Sequence, residues 1–93
     1  MKSPFLHGLD HFTEIIAKLK EASYHYADDS TLEWRYGANI LNGVAQWMAD
    51  YEWTRWDVNR FFGLCEANGH EFLVDRDDML DRLINVYVHR ARK

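Results

Sequence analysis

The sequence predicts an all-α fold, a single compact domain of about four helices over residues 1–93 with no significant sheet. Two observations lead there. Apolar residues recur at steps of three and four rather than two, and helix-start signals precede the periodic stretches.

In the first stretch Leu9, Phe12, Ile16, Leu19, Ser23 and Tyr26 form a one-sided stripe, with Lys18, Lys20 and Glu21 off it. Ser3 and Pro4 suit a preceding turn, and Gly8 weakens the junction between the two. The run Ala27-Asp28-Asp29-Ser30 is the break.

Ser30-Thr31-Leu32-Glu33 reads as a capping box, in which the serine hydroxyl accepts from a free amide and the glutamate reaches back to the cap amide. The helix it opens runs to about Tyr51. Thr54-Arg55-Trp56-Asp57 repeats that logic more weakly, and its helix, with Val58, Phe61, Phe62 and Cys65 as the apolar face, stops at Asn68-Gly69. Glu71 to Val74 is loop or extended chain, too short to found a sheet. Asp75 with Asp78 then opens the last helix, whose stripe is Met79, Leu80, Leu83, Tyr87 and Ala91. Its acidic start (Asp75, Asp77, Asp78, Asp81) and basic end (Arg90, Arg92, Lys93) complement the helix dipole, and the acidic start doubles as a possible docking patch.

Composition narrows the function classes. Eleven basic and 15 acidic side chains leave a net charge of −4, spread evenly along the chain, whereas a protein devoted to phosphate normally carries a basic surplus. A lone cysteine, Cys65, permits no internal disulfide and no thiolate-built zinc site. No apolar run reaches the roughly 18 residues of a membrane span, and the first residues lack the apolar core of a signal peptide. The expectation is a cytoplasmic protein without membrane contact.

Catalytic and cofactor signatures are equally thin: no glycine-rich phosphate loop, no serine elbow and no nucleophile–base register stand out. His7 and His11, with Glu14 beyond them, have the i, i+4 spacing of a metal pair, but no third ligand is signalled. Cys65 and His70 straddle a turn as a second weak pair. Asp75, Asp77 and Asp78 evoke a calcium loop that Met79 and Leu80 then spoil. The expectation is no catalysis, no cofactor and no metal.

The informative region is the second helix and the junction after it. At 100° per residue, Trp34, Tyr36, Gly37, Ala38, Ile40, Leu41, Val44, Ala45, Trp47, Met48 and Tyr51 cover an apolar arc of roughly 200°, about twice what a surface helix needs. Such a helix is either central, covered on two sides by the other helices, or has one flank in the core and the other at an interface, with a different partner or with a second copy as a symmetric dimer. Gly37 and Gly43, each about 1 kcal/mol poorer than alanine in mid-helix, point to close approach by a neighbour.

Eight of the 14 aromatic residues lie between Trp34 and Phe62. Trp53 and Trp56, set among Asp50, Glu52, Arg55 and Asp57, have the mixed surroundings of half-exposed interface anchors. The expected partner-binding surface is therefore Trp53 and Trp56 flanked by Tyr36 and Trp47, with Arg55 and Arg60 as polar companions. The expected role is a small inhibitor or adaptor that occludes a surface on a larger protein machine, a character common among phage and mobile-element proteins.

The alternative is a DNA-binding regulator. Trp47, Tyr51, Trp53, Thr54, Val58 and Phe61 partly match a helix-turn-helix pattern whose second helix would present Arg55, Asp57, Asn59 and Arg60. Glu52, where such a turn favours glycine, and Met48, where a small residue packs, depart from it. A nucleic-acid mimic is weaker still, because the second half carries seven basic residues.

Overall fold

The computed structural model describes residues 12–28 and 30–92. Among them the chain forms α1 (Phe12–Tyr26), α2 (Thr31–Asp50), α3 (Arg55–Ala67) and α4 (Arg76–Ala91), with no strand. The all-α expectation holds. Leu9, Ser3, Pro4 and Gly8 lie outside the described residues.

α2 is the central element. α1 packs along one flank and α4 along another, while α3 packs on α4. The core runs through all four: Ile16 and Leu19 of α1, Leu41, Val44 and Met48 of α2, Val58 and Phe61 of α3, Met79 and Leu83 of α4. The wide apolar arc of α2 is thus mostly core, since Gly37, Leu41, Val44, Ala45, Met48 and Ala49 are buried within one chain. Only its first turns stay open, with Trp34 and Tyr36 about half exposed. The stripes shift slightly from expectation: Ile15 joins the buried face of α1, and Val86, rather than the exposed Tyr87 and Ala91, completes that of α4.

The Ser30 cap forms, but without the reciprocal half of a box. Ser30 Oγ accepts from the Glu33 amide at 3.2 Å, while the Ser30 amide donates to Asp28 Oδ1 at 2.8 Å. The Glu33 carboxylate instead pairs with His25 Nδ1, tying the end of α1 to the start of α2. An aspartate two residues before the cap reaches that amide through a tighter ring, which leaves the glutamate for a tertiary contact. Ser30→Ala should cost about 0.5–2 kcal/mol, read from urea unfolding; unchanged stability would remove Ser30 as the cap. The full capping box is at Thr54: its amide donates to Asp57 Oδ2 at 2.8 Å, and the Asp57 amide donates to Thr54 Oγ1 at 3.3 Å.

The stops of α2 and α3 use the same device. Gly69, at φ +76°, follows α3, and the amides of Gly69 and His70 donate back to the carbonyls of Glu66 (3.1 Å) and Cys65 (2.9 Å). After α2 the left-handed position falls on Glu52, at φ +58°, with the amides of Glu52 and Trp53 bonded to the carbonyls of Ala49 (3.0 Å) and Met48 (2.9 Å). A side chain there is strained by about 1–2 kcal/mol, partly offset by the greater unfolded-state entropy of glycine. Glu52→Gly should therefore stabilise the protein by about 0.5–1 kcal/mol, seen as a higher urea midpoint. A lower midpoint would mean the turn carries no such strain.

The two mid-helix glycines of α2 have different reasons. A Cβ on Gly37 would stand 2.9 Å from Tyr26 Cε1 and 3.2 Å from the Ala22 carbonyl oxygen, so here α1 does approach closely. A Cβ on Gly43 would meet no described atom within 4 Å beyond its own stretch of helix. Gly43→Ala should stabilise by about 0.5–1 kcal/mol through helix propensity, whereas Gly37→Ala should gain nothing or lose stability. Equal gains at both positions, measured by thermal unfolding, would contradict this packing.

Polar tethers complete the α2–α4 contact. Arg90 donates to Asp50 Oδ1 at 2.7 Å and to Gln46 Oε1 at 3.1 Å. Arg82 donates to Asn42 Oδ1 at 2.8 Å and pairs with Asp78 at 3.2 Å.

Candidate functional site

The capping box at Thr54 fixes the first turn of α3, and Val58, Phe61 and Cys65 bury the underside of that helix. On the opposite side stand Trp56, Arg60 and Leu64, one helical turn apart in sequence. Trp56 is 77% exposed and Leu64 39%. A large indole is therefore carried outward on a capped, well-seated turn, so the backbone beneath it is already ordered before any partner binds.

The six expected contact residues do not form one surface. Trp53 is fully buried, which corrects its assignment as a half-exposed anchor. The left-handed stop at Glu52 turns the chain inward, so that Trp53 packs against Trp47 (5.9 Å between ring centroids) and Phe61 (5.6 Å), and its carbonyl accepts from the Tyr87 hydroxyl at 2.8 Å. Its charged sequence neighbours point outward while it does not. Trp47 is half-buried, stacks on Tyr51 at 4.4 Å and lines a shallow groove of about 360 Å³ between α1 and α2. Tyr36 is exposed, but it sits beside His25 (5.8 Å), three helical turns before Trp47. Arg55, Trp56 and Arg60 are the three that share the exposed portion of α3.

For the helix-turn-helix reading, Asp57 is occupied by the cap and Asn59 is half-buried, so Arg55 and Arg60 are the exposed members of that set. Glu52 does adopt the left-handed conformation for which such a turn favours glycine.

Other chemistry is sparse among the described residues. His7 and His11 lie outside them. No group of three or more histidine, cysteine or acidic side chains there is arranged to hold a metal ion. Cys65 is buried, and burial pushes its thiol up to about 11, which keeps it protonated and unreactive near neutral pH. His70 meets Cys65 through its backbone amide, a helix-stop bond rather than a side-chain pairing. Asp75 is the cap of α4, accepting from the Asp78 amide at 2.7 Å. No helix among the described residues is long and apolar enough to cross a membrane.

The acidic start of α4 also faces a groove that brings distant residues together. Tyr26, Trp34, Ala38, Leu73, Asp75, Asp78 and Arg82 line an open groove of about 520 Å³ where α1, α2, α4 and the preceding loop meet. Its acidic members, Asp75 and Asp78, belong to the patch expected at the start of the last helix, while Trp34 and Leu73 are brought to them only by the fold.

Fold and surface together define a small all-α domain that displays isolated aromatic side chains from a well-packed frame. No family model, curated protein or solved structure matches the chain.

Proposed function

We propose that this protein is a non-catalytic interaction module that binds a protein partner through the outward side of α3, with Trp56 as the anchor and Arg55, Arg60 and Leu64 around it. In that role it acts as an inhibitor or adaptor, covering a surface on a larger assembly. The observation that supports this reading best is the 77% exposure of Trp56 on a capped turn. A hydrated indole gains most from burial against a partner, and tryptophan ringed by arginine is the usual composition of an interface hot spot.

The test is quantitative affinity capture from source-cell lysate with the wild-type chain and Trp56→Ala as paired baits. A specific partner should be retained by the first and depleted at least about 30-fold by the second. Equal capture by both would move the site off α3. Light scattering on the purified chain identifies the case in which the partner is a second copy.

DNA binding through α3 is the second reading, favoured by the left-handed Glu52 turn and by the exposed Arg55 and Arg60. It predicts duplex binding that weakens steeply between low and moderate salt, which an indole-anchored protein interface does not.

A further inference from the structure

We infer that the groove bounded by Trp34, Leu73, Asp75 and Asp78 is a receptor for an arginine side chain presented by a partner polypeptide. The site lies away from Trp56 and does not depend on the reading of α3 given above.

The groove is preformed. Its back wall is Trp34, 53% exposed, with its ring 4.7 Å from that of Tyr26. Its lip is Leu73, 64% exposed, on a loop held down by the Leu73 amide donating to Ser23 Oγ at 2.9 Å. Ser23 in turn donates to the Leu19 carbonyl, so the lip is anchored to α1. An apolar slot of about 520 Å³ takes a side chain of several methylene groups without rearrangement.

Charge selects what sits at its end. Asp75 and Asp78 are the acidic lining residues and Arg82 the basic one. Arg82 is turned to the protein: it pairs with Asp78, donates to Asn42, and reaches the Tyr26 hydroxyl at 3.4 Å. Asp75 uses Oδ1 for the α4 cap and Asp78 uses Oδ1 for Arg82, so each carboxylate has its Oδ2 outside these bonds. Asp77 and Asp81, both exposed on the first turns of α4, outnumber the exposed Arg76 there and add to the negative potential. The groove is therefore net negative beside an open indole face. A planar, delocalised cation meets both requirements at once, stacking on the indole while its N–H edge donates to carboxylate oxygen. An ammonium group satisfies the charge but not the stacking, which favours arginine over lysine. An arginine-bearing strand or loop of a protein is the occupant that brings such a group on a flexible stem.

The test is a 15N NMR titration of the full chain with n-butylguanidinium, with neutral n-butylurea as its planar isostere. The cation should shift the Trp34 indole and the Leu73, Asp75 and Asp78 amides with saturation at roughly 1–10 mM, as suits so small a ligand. Butylurea should bind at least about fivefold more weakly. Acetyl-Gly-Arg-Gly-amide should bind at least as well as butylguanidinium, and the lysine analogue more weakly. Asp75→Asn keeps a capping side chain and removes one charge, so it should fold and bind at least about fivefold more weakly. Trp34→Leu keeps apolar volume, removes the ring and should weaken binding similarly, while Trp56→Ala should leave it unchanged. The inference is overturned by equal binding of butylurea, by shifts that scatter over the acidic surface without saturating, by an arginine peptide that fails where butylguanidinium binds, or by a folded Asp75→Asn that binds as wild type.

Discussion

Replacing Trp53 by alanine should destabilise the protein by about 3–5 kcal/mol, the range for removing a large aromatic side chain from a core. Trp53 has no exposed surface, its ring meets those of Trp47 and Phe61, and its backbone carbonyl anchors the Tyr87 hydroxyl of α4. The residue joins the end of α2, the middle of α3 and the C-terminal part of α4, so the cavity opens where three helices converge. For a domain of this size each kcal/mol moves the melting temperature by about 4–8 °C, and the expected fall exceeds about 12 °C. A fall of less than about 4 °C would mean that the ring does not occupy the core.

Trp56→Ala, three residues along, should behave in the opposite way. At 77% exposure its removal leaves no cavity, and stability should stay within about 0.5 kcal/mol of wild type. If Trp56 anchors a partner, affinity falls by at least about 2 kcal/mol, or roughly 30-fold, with cooperative unfolding retained. Measuring melting and affinity on both variants gives a crossed result that neither gives alone. Trp53→Ala loses stability and retains affinity per folded molecule, and Trp56→Ala does the reverse. Loss of stability at Trp56 would place it in the core; retained affinity would leave the acidic groove at the start of α4 as the stronger candidate.

The charged neighbours of the two tryptophans are the same kind of signal in sequence, and they match the exposure of Trp56 but not the burial of Trp53. Arg55 and Asp57 flank Trp56 on a helix, where neighbours point 100° away and polar flanks are compatible with an outward indole. Glu52 precedes Trp53 at a left-handed helix stop, where one positive φ reverses the chain and sends the next side chain into the protein. No periodicity rule spans such a residue, and glutamate gives no warning of it. Glycine at that position would have signalled the turn, as Gly69 did after α3.

Helix number, order and approximate ends could be read from the sequence alone, because spacing of apolar residues and capping chemistry are local and act within a turn or two. Ser30, Thr54, Asp75 and Gly69 each mark an end where expected. Tertiary structure alone decided which flank of α2 is covered, that Gly37 and not Gly43 is the closely approached glycine, and that Glu33 leaves its cap for His25. It also decided that Trp34, Leu73, Asp75 and Asp78 share one groove. Those outcomes depend on contacts between residues distant in sequence, where burial is set by the summed packing of several helices and no single segment carries the information.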